Sequence, residues 1–187
     1  MKIIGIVGSP RVDGNTQILV QSILASAMEN GAETKIFNIH EMDIKPCQSC
    51  YHCKITDEGC AIKDDMPQLF EEIIKSDAVI VGSPIYFGQM SAQLKIFVDR
   101  HFSQIGRDFK SKIGKKDLVL IFTHGNPKSD MFKQYIDSTS RLFGFMGYNM
   151  QDLLLAAGVR RPGAIYEKEE LMQKAKEIGE QLAQVKE

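Results

Sequence analysis

The chain has 187 residues, 43% of them hydrophobic, enough material for one domain with a sizeable core. Its 23 basic and 24 acidic residues leave a formal net charge of -1, so it lacks the basic field that nucleic acid or an anionic lipid surface requires, and neither partner is expected. An apolar span of about 18 residues, the least a transmembrane helix needs, is absent, and the N-terminal apolar run is too short for a signal peptide, so a cytoplasmic location is expected.

Ile3-Ile4-Gly5-Ile6-Val7 reads as a strand and runs into Gly8-Ser9-Pro10-Arg11-Val12-Asp13-Gly14-Asn15-Thr16, a strand-to-helix turn rich in glycine and hydroxyl groups. Backbone N–H groups converge at such a turn, where unpaired donors and the positive end of the helix dipole favour an anion. Ser9, Asn15 and Thr16 add side-chain donors. The alternative is that Gly14 only shapes the turn and Asn15 or Thr16 only caps the helix. Residues 16–30 carry Val20, Ile23, Leu24, Ala27 and Met28 at the spacing of a helix packed on a sheet, and Gly31 ends it. An outer strand is expected at 33–39. A segment without periodicity follows from 40 to 63 and holds all four cysteines. Asp64-Asp65-Met66-Pro67 then announces a helix, with Met66, Leu69, Phe70, Ile73 and Ile74 as its apolar stripe.

Ala78-Val79-Ile80-Val81 is apolar throughout, as in a strand buried on both faces, and finishes at Gly82-Ser83-Pro84. The aromatic loop Pro84-Ile85-Tyr86-Phe87-Gly88 leads to a helix over 90–102. A strand at 118–122 ends at Thr123-His124-Gly125-Asn126-Pro127. The helix expected over 129–145 puts Phe132, Tyr135, Ile136, Leu142, Phe143 and Met146 largely on one side. A fifth strand at 153–157 and a helix marked by Leu171, Ala175, Ile178, Leu182 and Val185 close the chain. Five alternations of strand and helix predict an α/β fold with a doubly wound parallel sheet, in one domain over 1–187. Ligands in such sheets bind outside the carboxyl ends of the strands, so the loops at 8–16, 84–88 and 123–127 face one crevice.

A nucleoside-triphosphatase loop needs a lysine where Asn15 stands and a shorter spacing than that from Gly8 to Gly14, and a dinucleotide fold needs G-x-G-x-x-G. What remains is a single phosphate held by Ser9, Arg11, Asn15, Thr16 and backbone, with something flat and apolar beside Tyr86 and Phe87. Flavin mononucleotide has those two parts.

Gly8-Ser9-Pro10-Arg11 with Gly14-Asn15-Thr16, and then Gly82-Ser83-Pro84-Ile85-Tyr86-Phe87-Gly88, resembles the flavodoxin-like NADPH-dependent FMN reductase family over nearly the whole chain. Cys47-x2-Cys50-x2-Cys53-x6-Cys60, in an insertion at about 43–64, is similar to the motif of its iron-sulfur flavoprotein branch. The resemblance implies a five-stranded sheet of order 2-1-3-4-5 with helices on both faces. It implies FMN phosphate at the first loop, the flavin ring along Pro84, Ile85, Tyr86, Phe87 and Gly88, and a [4Fe-4S] cluster on Cys47, Cys50, Cys53 and Cys60. By the same resemblance the chain forms homodimers or homotetramers and exchanges electrons with a small-molecule or protein partner, NAD(P)H among the possible donors.

From the residues alone the four thiols leave several states open. One loop can present the first three to a single face of a cluster while a six-residue arm returns Cys60. A zinc site using all four, or three with His52, a labile disulfide, and thiols without metal are the alternatives. Thr123 and Gly125 are expected at the cofactor, His124 there or as a solvated or capping residue, Arg100 as a solvated cation or one reaching a neighbouring subunit's cofactor, and Arg160-Arg161-Pro162 as a polar loop or a segment that attracts an NADPH phosphate. The function expected is electron transfer between a cluster, FMN and an external partner, with no acid, base or nucleophile from the chain. Its alternatives are an NAD(P)H-dependent FMN or quinone reductase without a cluster and a zinc- or disulfide-based redox sensor.

Overall fold

The computed structural model describes residues 1–184; Val185, expected in the closing helix, lies outside them. Five parallel strands form the sheet: β1 (Lys2–Val7), β2 (Glu33–Asn38), β3 (Ala78–Tyr86), β5 (Lys116–His124) and β6 (Tyr148–Ala157), in the order β2-β1-β3-β5-β6. A short strand, β4 (Gln89–Met90), pairs antiparallel with the end of β3. With β4 set aside, the order is the expected 2-1-3-4-5. Each long connection carries a helix, because a parallel crossover cannot be made by a tight turn.

Helices α1 (Asn15–Glu29) and α6 (Glu169–Ala183) cover one face, and α3 (Met66–Lys75), α4 (Ala92–Arg100) and α5 (Lys133–Phe145) the other; α2 (His52–Ile55) is a single turn in the cysteine segment. Side chains alternate along the buried strands, so β5 sends Val119 and Ile121 into the first core and Leu118, Leu120 and Phe122 into the second. Burying each such side chain fully contributes about 1.5–3 kcal/mol. Gly82 lets α1 lie close on β3: a Cβ there would stand 2.8 Å from Thr16 Cγ2 and Val20 Cγ2.

Several boundaries differ from the sequence expectation. β3 does not stop at Val81 but continues through Ser83 and Pro84, which pair with Phe122 and Thr123 of β5. The expected aromatic loop is therefore a strand end and a hairpin turn, with Phe87 (φ 47°) and Gly88 (φ 83°) at its tip. Met90 belongs to β4, and Ser91 caps α4 by accepting the Leu94 N–H. α5 begins at Lys133 rather than 129, after a turn in which Asn126 Oδ1 accepts the Lys128 N–H. Met28 and Ile74 are 59% and 45% exposed. Both stand eight positions past the start of their stripes, and eight residues turn a helix about 80° beyond two full turns. Leu142, on the expected apolar side of α5, is likewise exposed.

Candidate functional site

The Gly8 N–H bonds to Gly82 O at 2.8 Å, so the first turn leaves β1 locked to β3. Its left-handed residue is Asp13 (φ 54°), while Gly14 is extended at φ -72° and ψ 157°. Space rather than conformation favours a glycine at 14: a Cβ there would lie 3.1 Å from Arg11 Cβ and Arg11 O, a tight contact that the turn would have to relax. The Ile18 N–H reaches Gly14 O at 3.0 Å, and no side chain caps α1. Helix geometry therefore leaves the amides of Asn15, Thr16 and Gln17 pointing out of the N-terminus. Ser9 is buried and accepts the Arg11 N–H at 3.2 Å, which leaves its own proton to donate.

Asn15 does not act as the expected donor to an anion. Its Nδ2 donates to Arg161 O at 2.9 Å and Val159 O at 3.3 Å, and its Oδ1 accepts the Ile165 N–H at 3.1 Å. The side chain fastens the segment after β6 to the turn. Thr16 Oγ1 lies 2.8 Å from Thr123 Oγ1. Since one proton joins the two hydroxyls, one remains for a ligand.

These residues line a crevice of about 220 Å³ at the carboxyl edge of the sheet. Ser9, Arg11, Gly14, Asn15 and Thr16 form one wall, Pro84, Ile85 and Tyr86 another, and Thr123, His124 and Gly125 a third. Phe87 and Gly88 do not line it; Phe87 projects fully into solvent at the hairpin tip. Val159, Arg160 and Pro162 form a fourth wall; the sequence offered Arg160 and Pro162 as a polar loop or a segment attracting an NADPH phosphate, but not as part of this crevice. The rule that ligands sit beyond carboxyl strand ends could have found it, since these residues directly follow β6. Arg160 is fixed there by its Nε–H to Gly125 O, at 2.8 Å, and Arg161 pairs with Glu167. His124 is neither solvated nor a cap. It is buried, stands edge-on to Phe132 at 5.0 Å, and burial lowers its pKa.

Cys47, Cys50, Cys53 and Cys60 line a second, smaller recess together with Tyr51, Arg100 and Phe102. All four are free thiols, and Cys50 is exposed. Ser49 (φ 51°) and Tyr51 (φ 58°), on either side of Cys50, are left-handed, a conformation that costs a non-glycine residue about 1–2 kcal/mol. The Lys54 ammonium donates to Phe102 O and Ile105 O and lies 4.0 Å over the Phe102 ring, tying α2 to the end of α4. Burial pushes the Cys53 thiol up; Lys54 opposes this, and Cys60, Cys47 and Cys50 add to it. Among the described residues no three His, Cys, Asp or Glu side chains converge closely enough to hold a metal ion. His52 is engaged elsewhere, with Nε2 3.3 Å from the Glu58 carboxylate.

Arg100 is not the solvated cation expected at the end of α4 but is 1% exposed. Both its terminal nitrogens donate to Asp64, Nη2 to Oδ1 at 3.0 Å, and Nη1 also donates to Lys45 O at 2.7 Å. Burial disfavours the Asp64 carboxylate, yet Arg100 and the amides of Lys45 and Met66 outweigh it and hold its pKa below the usual range. Next in the chain, His101 is buried with Nδ1 donating to Phe97 O at 3.0 Å and Nε2 accepting from Tyr148 Oη at 2.9 Å. Burial lowers its pKa to about 4 against the pull of the Phe97 carbonyl, so it is neutral at pH 7.

A family model described as NADPH-dependent FMN reductase matches residues 1–173. An iron-sulfur flavoprotein of Methanocaldococcus jannaschii is 42% identical over 116 residues, 61% of this chain and 59% of that protein, so the match spans less than two thirds of that relative. One from Archaeoglobus fulgidus is 30% identical over 187 residues, covering 98% of this chain and 80% of that protein. Among solved structures, the NAD(P)H:quinone oxidoreductase from Methanothermobacter marburgensis superimposes with a TM-score of 0.73 at 18% identity, over 97% of this chain and 98% of that one, which is a likeness of fold.

Proposed function

We propose a function for the two recesses on one established premise: the chain belongs to the NADPH-dependent FMN reductase family. The crevice is an FMN site and the cysteine recess a [4Fe-4S] site, in a redox protein that passes electrons between them and an external partner. One observation carries the FMN reading, namely that the uncapped start of α1 meets three other strand-end segments in a single crevice. The phosphate takes the free amides, with Ser9 and Arg11 beside it, and the ring takes the wall of Pro84, Ile85 and Tyr86 opposite Thr123 and Gly125. Phe87 and Gly88 stand one turn beyond that wall. The second recess favours a cluster by its donor set rather than by a formed site: all four cysteines line it, although among the described residues their side chains do not converge on one metal position, and Arg100 Nε, buried beside them, lacks a hydrogen-bond acceptor.

Bound FMN supplies uptake of up to two electrons, and a [4Fe-4S] cluster supplies transfer of one at a time. The chain's own residues bind, orient and shield; none needs to act as acid, base or nucleophile. The external partner is a small molecule or a protein, and the name of the matched family favours NAD(P)H as donor. Exposed Tyr86 and Phe87 beside the crevice favour a homodimer or homotetramer that covers them.

Titrating flavin-free protein with FMN, followed by flavin fluorescence, is expected to give one site per chain; no quenching sinks the FMN reading. Anaerobically purified protein is expected to hold about four iron and four acid-labile sulfide per subunit. Zinc without sulfide replaces the cluster by the sensor alternative. Cys50→Ala is expected to remove iron and spare FMN, since the two sites use different segments. Anaerobic bleaching of the bound flavin by NADPH identifies the donor, and its absence removes pyridine nucleotide from that role.

A further inference from the structure

Among the described residues Arg100 is the one large cation that is fully buried, and four of its five N–H bonds belong to the two terminal nitrogens. Those nitrogens are taken by Asp64 and by Lys45 O. Asp64 is itself immobilised, accepting the Lys45 N–H at 2.9 Å and the Met66 N–H at 3.1 Å. The guanidinium is thus held as a rigid plate, leaving Nε buried with no acceptor. Arg100 lines the recess that contains all four cysteines, and Cys60 also borders the neighbouring recess with it. A buried donor without a partner is costly, and a neutral thiol is a weak acceptor. A sulfur carrying negative charge is a strong one.

We propose that Arg100, clamped by Asp64, donates its Nε–H to the Cys60 sulfur and acts as a positioning residue that raises the reduction potential of the four-cysteine centre. The inference rests on the cluster reading above. Reduction adds one electron and one negative charge to the centre, with no bond to Arg100 broken and no proton moved. Asp64 offsets most of the guanidinium charge, so the hydrogen bond to a ligand sulfur is what stabilises the more negative state.

The test is a reductive titration of anaerobically purified protein with dithionite as electron donor, followed by electron paramagnetic resonance, with iron and sulfide counted on the same samples. The double variant Arg100→Gln with Asp64→Asn removes both charges and keeps an amide pair. Its reduction equilibrium is expected to shift at least tenfold toward the oxidised form, 59 mV for one electron. Arg100→Lys keeps the charge and loses the Nε–H; it is expected to shift at least threefold and carries the test if the double variant fails to fold. Equilibria within twofold of the wild type overturn the role of Arg100 and leave the cluster in place. Wild-type protein without iron and sulfide overturns the cluster reading and this inference with it.

Discussion

The turn at 8–14 and the cysteine segment at 43–64 follow neighbouring parallel strands, β1 and β2, and are built in opposite ways. The first is short and shaped by local means: a left-handed Asp13, a Gly14 packed closely on Arg11 and the start of a helix. Distant residues only fasten it, through Asn15 and Thr16. The second has little regular structure, a single helical turn, and takes its shape from a buried ion pair and a lysine clamp. An anion site made of backbone donors needs only a strand, a turn and a helix. A thiol site made of side chains needs an external frame, and here that frame is the end of α4.

The sharpest way to break this contrast is Asp64→Ala. Removing one partner of a buried pair leaves an uncompensated charge, so stability is expected to fall by about 3–5 kcal/mol in denaturant titrations. Exposure of the cysteine segment to protease is expected to rise, with the crevice less affected. Equal exposure of both regions would erase the distinction.

Acid probes the same frame through His101. Its native pKa of about 4 lies below the ordinary 6.5, so the unfolded chain binds the proton first. Its contribution is full above pH 6.5 and is lost as pH falls toward 4, about 3 kcal/mol in all. Asp64, also lowered, extends the loss below its ordinary 3.8. Unfolding free energies measured from pH 7.5 to 4 test this, and His101→Gln is expected to flatten the slope.

Asn15→Ala tests the fastening of the turn. Three hydrogen bonds go, two carbonyls and an amide lose their partner, and a loss of about 2–3 kcal/mol is expected by thermal or chemical unfolding. Faster hydrogen exchange at 159–165 is expected with it. At the far end of the scale, Phe87→Asn is expected to change the stability of the dissociated chain by less than about 0.5 kcal/mol, since within one chain the side chain is fully exposed and asparagine tolerates a left-handed backbone.

The same contrast explains what the sequence could convey. Strand ends, the start of α1 and three walls of the crevice are local patterns, and they were legible in Gly8, Gly14, Ser83-Pro84 and Thr123. The continuation of β3 past Val81 was not, because pairing of Gly82, Ser83 and Pro84 to β5 outweighs the break that Gly-Ser-Pro signals. Nor was the fastening role of Asn15, whose partners lie 144 to 150 residues away. Arg100 and Asp64 are 36 residues apart, and nothing in the periodicity of α4 distinguishes a cation turned inward from one in solvent. The cysteine spacing was plain while its frame stayed hidden.

The reach of Asn15 also bears on synthesis. Its last partner, the Ile165 amide, is made 150 residues after it. At ribosomal rates of 5–20 residues per second, roughly 8–30 s separate the two. During that interval the α1 turn can exist, but the bond that secures the fourth wall cannot. The crevice is completed only when almost all of the described chain has emerged, which makes the occupation of that crevice by any ligand a late event in the life of the nascent protein.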